Sequence, residues 1–67
     1  MRHRGIIIAL SKLSESPEYG IVCSGEEGLF SFPVGERYLK KLIKKEGNIL
    51  EREIEYDDEL DALVFLD

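Results

Sequence analysis

Apolar positions along this chain follow two rhythms, and the switch between them marks out the elements. Residues 4–10 (Arg4-Gly5-Ile6-Ile7-Ile8-Ala9-Leu10) are β-branched and apolar, which predicts a strand. The polar stretch from Ser11 to Pro17 predicts a loop. Tyr19-Gly20-Ile21-Val22-Cys23 is a second strand, and Ser24-Gly25-Glu26-Glu27-Gly28 supplies hairpin chemistry. Leu29-Phe30-Ser31-Phe32 is a third strand, ended by Pro33, which cannot donate to a ladder. Over residues 36–45 the period lengthens. Tyr38, Leu39, Leu42 and Ile43 share one helical face, while Arg37, Lys40, Lys41, Lys44 and Lys45 fall on the opposite side. Glu36 suits the positive end of that helix and the lysines its negative end. Gly47 is placed as the left-handed cap that stops it. Beyond it Leu50, Arg52, Ile54 and Tyr56 alternate with Glu51, Glu53 and Glu55, a half-exposed strand. Asp57-Asp58-Glu59 makes a turn, and Ala62-Leu63-Val64-Phe65-Leu66 is a last strand expected to be largely buried.

Three strands, a helix and two strands predict a mostly-β fold, a small five-stranded barrel with its helix between the third and fourth strands. A small sheet hides most of its edges by closing, and a helix in that position plugs the open end. This is the oligonucleotide-binding (OB) arrangement. The rival is an SH3-like or Sm-like barrel, in which the helix usually lies at the N-terminus or is only a short turn late in the chain.

Length limits what holds such a fold together. The 67 residues make one domain without a linker or repeat, and so short a chain buries only about 60% of its unfolded surface. Cys23 is the single cysteine, so no internal disulfide is available. No paired cysteines or histidines suggest a structural zinc. Stability must come from the apolar core, from a partner, or from both. The run Ile6-Ile7-Ile8-Ala9-Leu10 is too short for a signal-peptide core or a membrane span. The expected setting is the cytoplasm, with no membrane partner.

Charge is distributed unevenly. Residues 1–45 carry eight Lys/Arg against five Glu, a net of +3, whereas residues 46–67 carry one Arg against nine Asp/Glu, a net of −8. Such asymmetry can leave a basic face on an acidic molecule. No catalytic constellation accompanies it, and neither a cofactor nor an enzymatic activity is expected. His3 and Cys23 have no companions at useful spacing and read as a terminal residue and a small hydrophobe. Asp57-Asp58-Glu59 with Asp61 lacks the glycine and closing glutamate of an EF-hand loop, so it reads as a solvated turn.

The order of short motifs resembles the cold-shock and bacterial initiation-factor branch of small OB folds. Gly5-Ile6-Ile7 is similar to the family's opening Gly-x-Val, and Tyr19-Gly20-Ile21-Val22 to its second-strand aromatic-Gly-aromatic-Ile. Leu29-Phe30-Ser31-Phe32 resembles the third-strand Val-Phe-Val-His, and Gly47-Asn48-Ile49 with Glu51-Arg52-Glu53 resembles Gly-Asp-x-Val-x-x-Glu. Tyr38-Leu39, Tyr56-Asp57 and Leu63-Val64-Phe65 are close to the pattern of the small initiation factor. The departures bear on binding. Ile8 and Ala9 stand where the family has a Lys-Trp pair, Pro17-Glu18 where it has Lys-Gly, and Ile21 replaces the second aromatic.

The resemblance implies binding of single-stranded RNA or DNA, or structured ribosomal RNA, through the first three strands. Tyr19, Phe30 and Phe32 would be the stacking surfaces, if they face outward, and Arg2, Arg4 and Lys12 the phosphate contacts. Phe30 and Phe32 share one side of their strand, and the alternative is that this side points into the barrel. A second reading is an OB-derived interaction or homodimerisation module. Its surface would be either the apolar strand face formed by Ile8, Ala9 and Ile21 or the basic helix face.

Overall fold

The computed structural model describes residues 1–15 and 17–67; of the expected 11–17 loop, Ser16 lies outside the described residues. Five strands form one antiparallel sheet among those residues: β1 (Arg2–Lys12), β2 (Glu18–Gly25), β3 (Gly28–Gly35), β4 (Glu53–Asp57) and β5 (Ala62–Phe65). The helix α1 (Glu36–Glu46) lies between β3 and β4 in the chain. The protein is therefore mostly β with one helix. In space the strands run β3-β2-β1-β4-β5, an order that departs from their order along the chain, and no ladder joins β3 to β5. The sheet is open, which corrects the expectation of a closed barrel. The two edge strands explain this in part: Pro33 lacks an N–H on β3, and β5 offers only four residues.

Long β1 lies in the middle, pairing with β2 through residues 5–12 and with β4 through residues 2–6. A bulge breaks its register with β2: Ile7 faces Cys23, and the next pair is Ala9 with Val22. The extra residue is Ile8. Its insertion keeps Leu10 on the same side as Ile7, opposite Ile21. Beyond β4 the pairing continues irregularly, with the Ile7 N–H donating to Arg52 O at 3.0 Å and the Glu51 N–H to Ile7 O at 2.7 Å.

The core lies on the sheet's inner side, where Ile7, Ile21, Cys23, Phe32, Ile49 and Ile54 meet Leu39 of α1. Burial without a nearby cation pushes the Cys23 thiol up to about 11. Two glycines make room for an aromatic. Gly5 faces Gly25 across the β1–β2 ladder, and a Cβ on either would come within 2.9–3.1 Å of the Phe30 ring and 2.7 Å of backbone oxygen. Phe30 thus covers the glycine pair, occupying space that two side chains would otherwise fill.

Helix α1 ends at Gly47, which takes φ 78° and donates its N–H to Ile43 O at 2.7 Å. Its ψ of −143° takes the chain sharply away rather than into a true left-handed turn. The buried stripe is narrower than the periodicity predicts. Leu39 is buried and Leu42 half-buried, but Tyr38 and Ile43 are 46% and 40% exposed. A single helix lying on a small sheet contacts it along one line, so the two flanking positions stay in solvent.

Other boundaries shift for local reasons. Pro33 sits inside β3 rather than ending it, as an edge strand permits. Residues 50–52 form a turn leading into β4, with Glu51 at φ 68°. Strand β5 alternates, leaving Val64 exposed, because an edge strand covers only one side. Arg52 ties these ends together. Its Nε donates to both Asp67 carboxylate oxygens at 2.7 and 2.8 Å, its Nη2 reaches Glu46 at 3.4 Å, and its guanidinium lies 4.6 Å from the Phe65 ring centre. No helix among the described residues is long and apolar enough to cross a membrane.

Replacing Leu39 by Ala should cost about 2–5 kcal/mol, a large part of the ~5–15 kcal/mol such domains possess. Ile43→Ala should cost under about 1 kcal/mol because its side chain already meets water. Urea unfolding of both variants checks the assignment of the helix faces, and equal losses would refute it.

Candidate functional site

The register of β2 with β3 decides where the candidate aromatics point. Ile21 pairs with Phe32, Cys23 with Phe30 and Tyr19 with Val34. Ile21 and Cys23 are fully buried, so period-two alternation carries Tyr19 to the same inner side and sets Phe30 and Phe32 opposite them. Phe32 is 4% exposed, and its ring stacks on Tyr56 at 3.9 Å with 3° between planes. Phe30 lies over the glycine pair with its centroid 5.5 Å from that of His3, and Tyr19 is half-buried against the core. Of the two orientations that the strand alternation left open, Phe30 and Phe32 take the inward one, and Tyr19 lies on the same side. The outer side of β2 and β3 presents Gly20, Val22, Ser24, Leu29, Ser31 and Pro33, none of them aromatic.

The basic candidates are distributed differently. Arg2 and Arg4 are exposed residues of β1 beside acidic β4. Arg2 lies 3.7 Å from both Glu55 and Asp57, and Arg4 lies 3.0 Å from Glu53. His3 joins Asp58 at 2.9 Å. Lys12 is exposed at the far end of β1, with its ammonium 6.0 Å from the Tyr19 ring centre. The six candidates therefore do not form one outward surface: three rings lie inside, two arginines are paired outside with carboxylates, and Lys12 meets Tyr19 across the β1–β2 ladder. Between residues 2–4 and 53–58 the pairing is long-range, and only the opposite signs of the two segments hint at it in the sequence.

Two further surfaces come into view. On the outer side of β1–β3 the bulge leaves Ile8 (47% exposed) and Ala9 both in solvent, beside exposed Ile6 and half-buried Val22, with Leu29 (71% exposed) at the edge. Ile6, Ser24 and Leu29 form one cross-strand row, and Ala9, Val22 and Ser31 the next. Ile21 does not belong to this patch, being fully buried on the inner side. Ile6 and Val22 take its place.

At the open seam between β3 and β5 lies a groove of about 380 Å³. Its walls include Phe32, Val34, Tyr38 and Tyr56, with the carboxylates of Glu18 and Asp61. The Tyr56 hydroxyl donates to Asp61 Oδ1 at 2.7 Å, and this bond, helped by burial, pushes the phenol up to about 12. In the β4–β5 turn the Asp57 carboxylate accepts from the N–H groups of Glu59 and Leu60, which holds its own pKa below the ordinary range. Among the described residues no group of three or more His, Cys, Asp or Glu side chains is placed to hold a metal ion. No protein-family model, curated protein or solved structure matches the chain.

The Tyr56–Asp61 bond has a signed pH consequence. A phenol whose folded pKa is raised from 10.0 to about 12 contributes stability that is complete below 10.0. That contribution is lost as pH rises toward about 12. Melting temperature should therefore fall over that interval, and Tyr56→Phe should flatten the fall. An ultraviolet titration of tyrosinate, read as the difference between the native protein and that variant, should place Tyr56 above an ordinary phenol. A normal titration would remove the bond.

Proposed function

We propose that this chain is a non-catalytic interaction domain that self-associates through the outer side of β1–β3. One observation carries the reading: Ile6, Ile8, Ala9 and Leu29 are exposed apolar residues on this side, with half-buried Val22 among them. Soluble monomers rarely leave such surfaces bare, and one rimmed by polar groups is the usual mark of a protein contact. Arg4 and Glu53 stand at its border as an ion pair, a rim of mixed sign that suits a second copy of the same face. The open sheet is read as related to the OB arrangement. Five strands, a helix between the third and fourth, and a first strand serving both the second and fourth support that relation, and five-stranded OB barrels are themselves partly open.

Nucleic acid is the second reading, favoured by a different surface from the expected one. Arg37, Lys41, Lys44 and Lys45 of α1 are exposed, while Lys40 is engaged by Glu36 at 3.3 Å. A cationic helix face supplies phosphate contacts without base stacking. Such binding is sequence-tolerant and strongly salt-dependent.

Sedimentation across a concentration series should show dimer formation by the native chain and a monomer for Ile8→Lys, whose exposed position leaves folding intact. A native chain that stays monomeric at the highest concentration overturns the first reading. Titration with labelled single-stranded RNA and DNA tests the second. It expects affinity to fall with salt at a slope of about −0.7 per phosphate neutralised, to weaken on Lys41→Glu with Lys45→Glu, and to be unchanged by Ile8→Lys. Absence of binding at low salt rejects it.

A further inference from the structure

No ladder joins β3 to β5, and side chains close the sheet's inner side along that seam. The stacked Phe32 and Tyr56 rings form the floor of the resulting groove. Leu63 of β5 and Val34 of β3 form its sides, and Tyr38, standing 46% exposed on the first turn of α1, overhangs it. The chain at Gly35 borders open space at the mouth, since a Cβ there would meet nothing within 4 Å. Two acidic residues line this aromatic space, Glu18 from the start of β2 and Asp61 from the β4–β5 turn, and among the described residues no Lys, Arg or His lines it. Asp61 is fixed in place by the Tyr56 hydroxyl at 2.7 Å on Oδ1, with φ 50° in its own backbone.

Aromatic faces attract a cation through their electron-rich surfaces, and carboxylates at the same site add charge complementarity. A phosphate or carboxylate ligand would meet repulsion from Glu18 and Asp61. A volume of about 380 Å³ is at the small end of ligand pockets and takes one long side chain rather than a folded element. Strand β3 borders the groove as a sheet edge, so an extended segment laid along it meets backbone groups that no neighbouring strand uses. We infer that the groove between β3 and β5 is a binding site for an arginine or lysine side chain carried by an extended segment of a partner protein. This site lies on the inner-side seam and does not depend on self-association through the outer face.

The test titrates isotope-labelled protein with the capped peptide acetyl-Val-Thr-Arg-Val-Thr-amide and with its norleucine counterpart, following backbone amide shifts. The arginine peptide should saturate, with the largest shifts at Gly35, Tyr38 and Asp61. The norleucine peptide should bind about 5- to 30-fold more weakly, the range expected for a cation over partly desolvated rings. Tyr38→Ala removes an exposed ring and should weaken the arginine peptide several-fold without disturbing the remaining spectrum. Asp61→Asn should also weaken it, because the amide keeps an acceptor for Tyr56 and tolerates the positive φ while losing the charge. Equal binding of the two peptides, shifts centred away from the seam, or no saturation at millimolar peptide would each overturn the inference.

Discussion

At Ile8, strand β1 carries one residue more than β2 can match, so Ile7 pairs with Cys23 and the next rung joins Ala9 to Val22. Without a bulge to absorb that residue, period-two alternation from Ile7 would send Leu10 outward and break the inner apolar row. With it, β1 keeps Ile7 and Leu10 on the core side over its whole length and bends as bulged strands do. The same residue sets the outer side, because Ile8 and Ala9 both emerge into solvent beside Ile6 and Val22. One irregularity in one ladder therefore decides both what is core and what is available to a partner.

Charge follows the same central strand. The basic start of the chain and the acidic stretch after residue 46 are adjacent through the β1–β4 ladder, where Arg2 meets Glu55 and Asp57 and Arg4 meets Glu53. Each of these exposed pairs is worth little alone. Together they neutralise the part of the sequence asymmetry that seemed most available for phosphate. What remains is a cationic outer face on α1 and an acidic β4–β5 turn, two surfaces of opposite sign on a molecule of net charge −5.

Local periodicity made the element types legible: the helix from Glu36, its stop at Gly47, and every strand but for its ends. The hairpin at Gly25 and Gly28 was equally readable from glycine placement. Orientation was not. Alternation shows that Phe30 and Phe32 share a side, but which side depends on whether Ile21 and Cys23 across the ladder are core, a long-range fact. Tyr38 and Ile43 looked buried because helical spacing gives a face without giving the width of the surface beneath it. The seam groove was invisible for a third reason. Its lining residues come from β2, β3, α1, β4 and two ends of the β4–β5 hairpin, and only the failure of β3 to pair with β5 brings an empty space among them.

The β1–β4 ladder also dictates an order of assembly. The β1-β2-β3 meander closes through short connections, whereas contacts such as His3 with Asp58 span 55 positions and must wait for a much larger loop to close. Until β4 arrives, one side of β1 is an unpaired edge in a half-built sheet, the kind of template that recruits strands from other chains. Arg2, His3 and Arg4 line that edge. Before the carboxylates of β4 reach them Arg2 and Arg4 carry like charge, and two such edges from two chains repel each other. Residues that end as modest ion pairs in the finished fold thus act earlier as guards against mispairing.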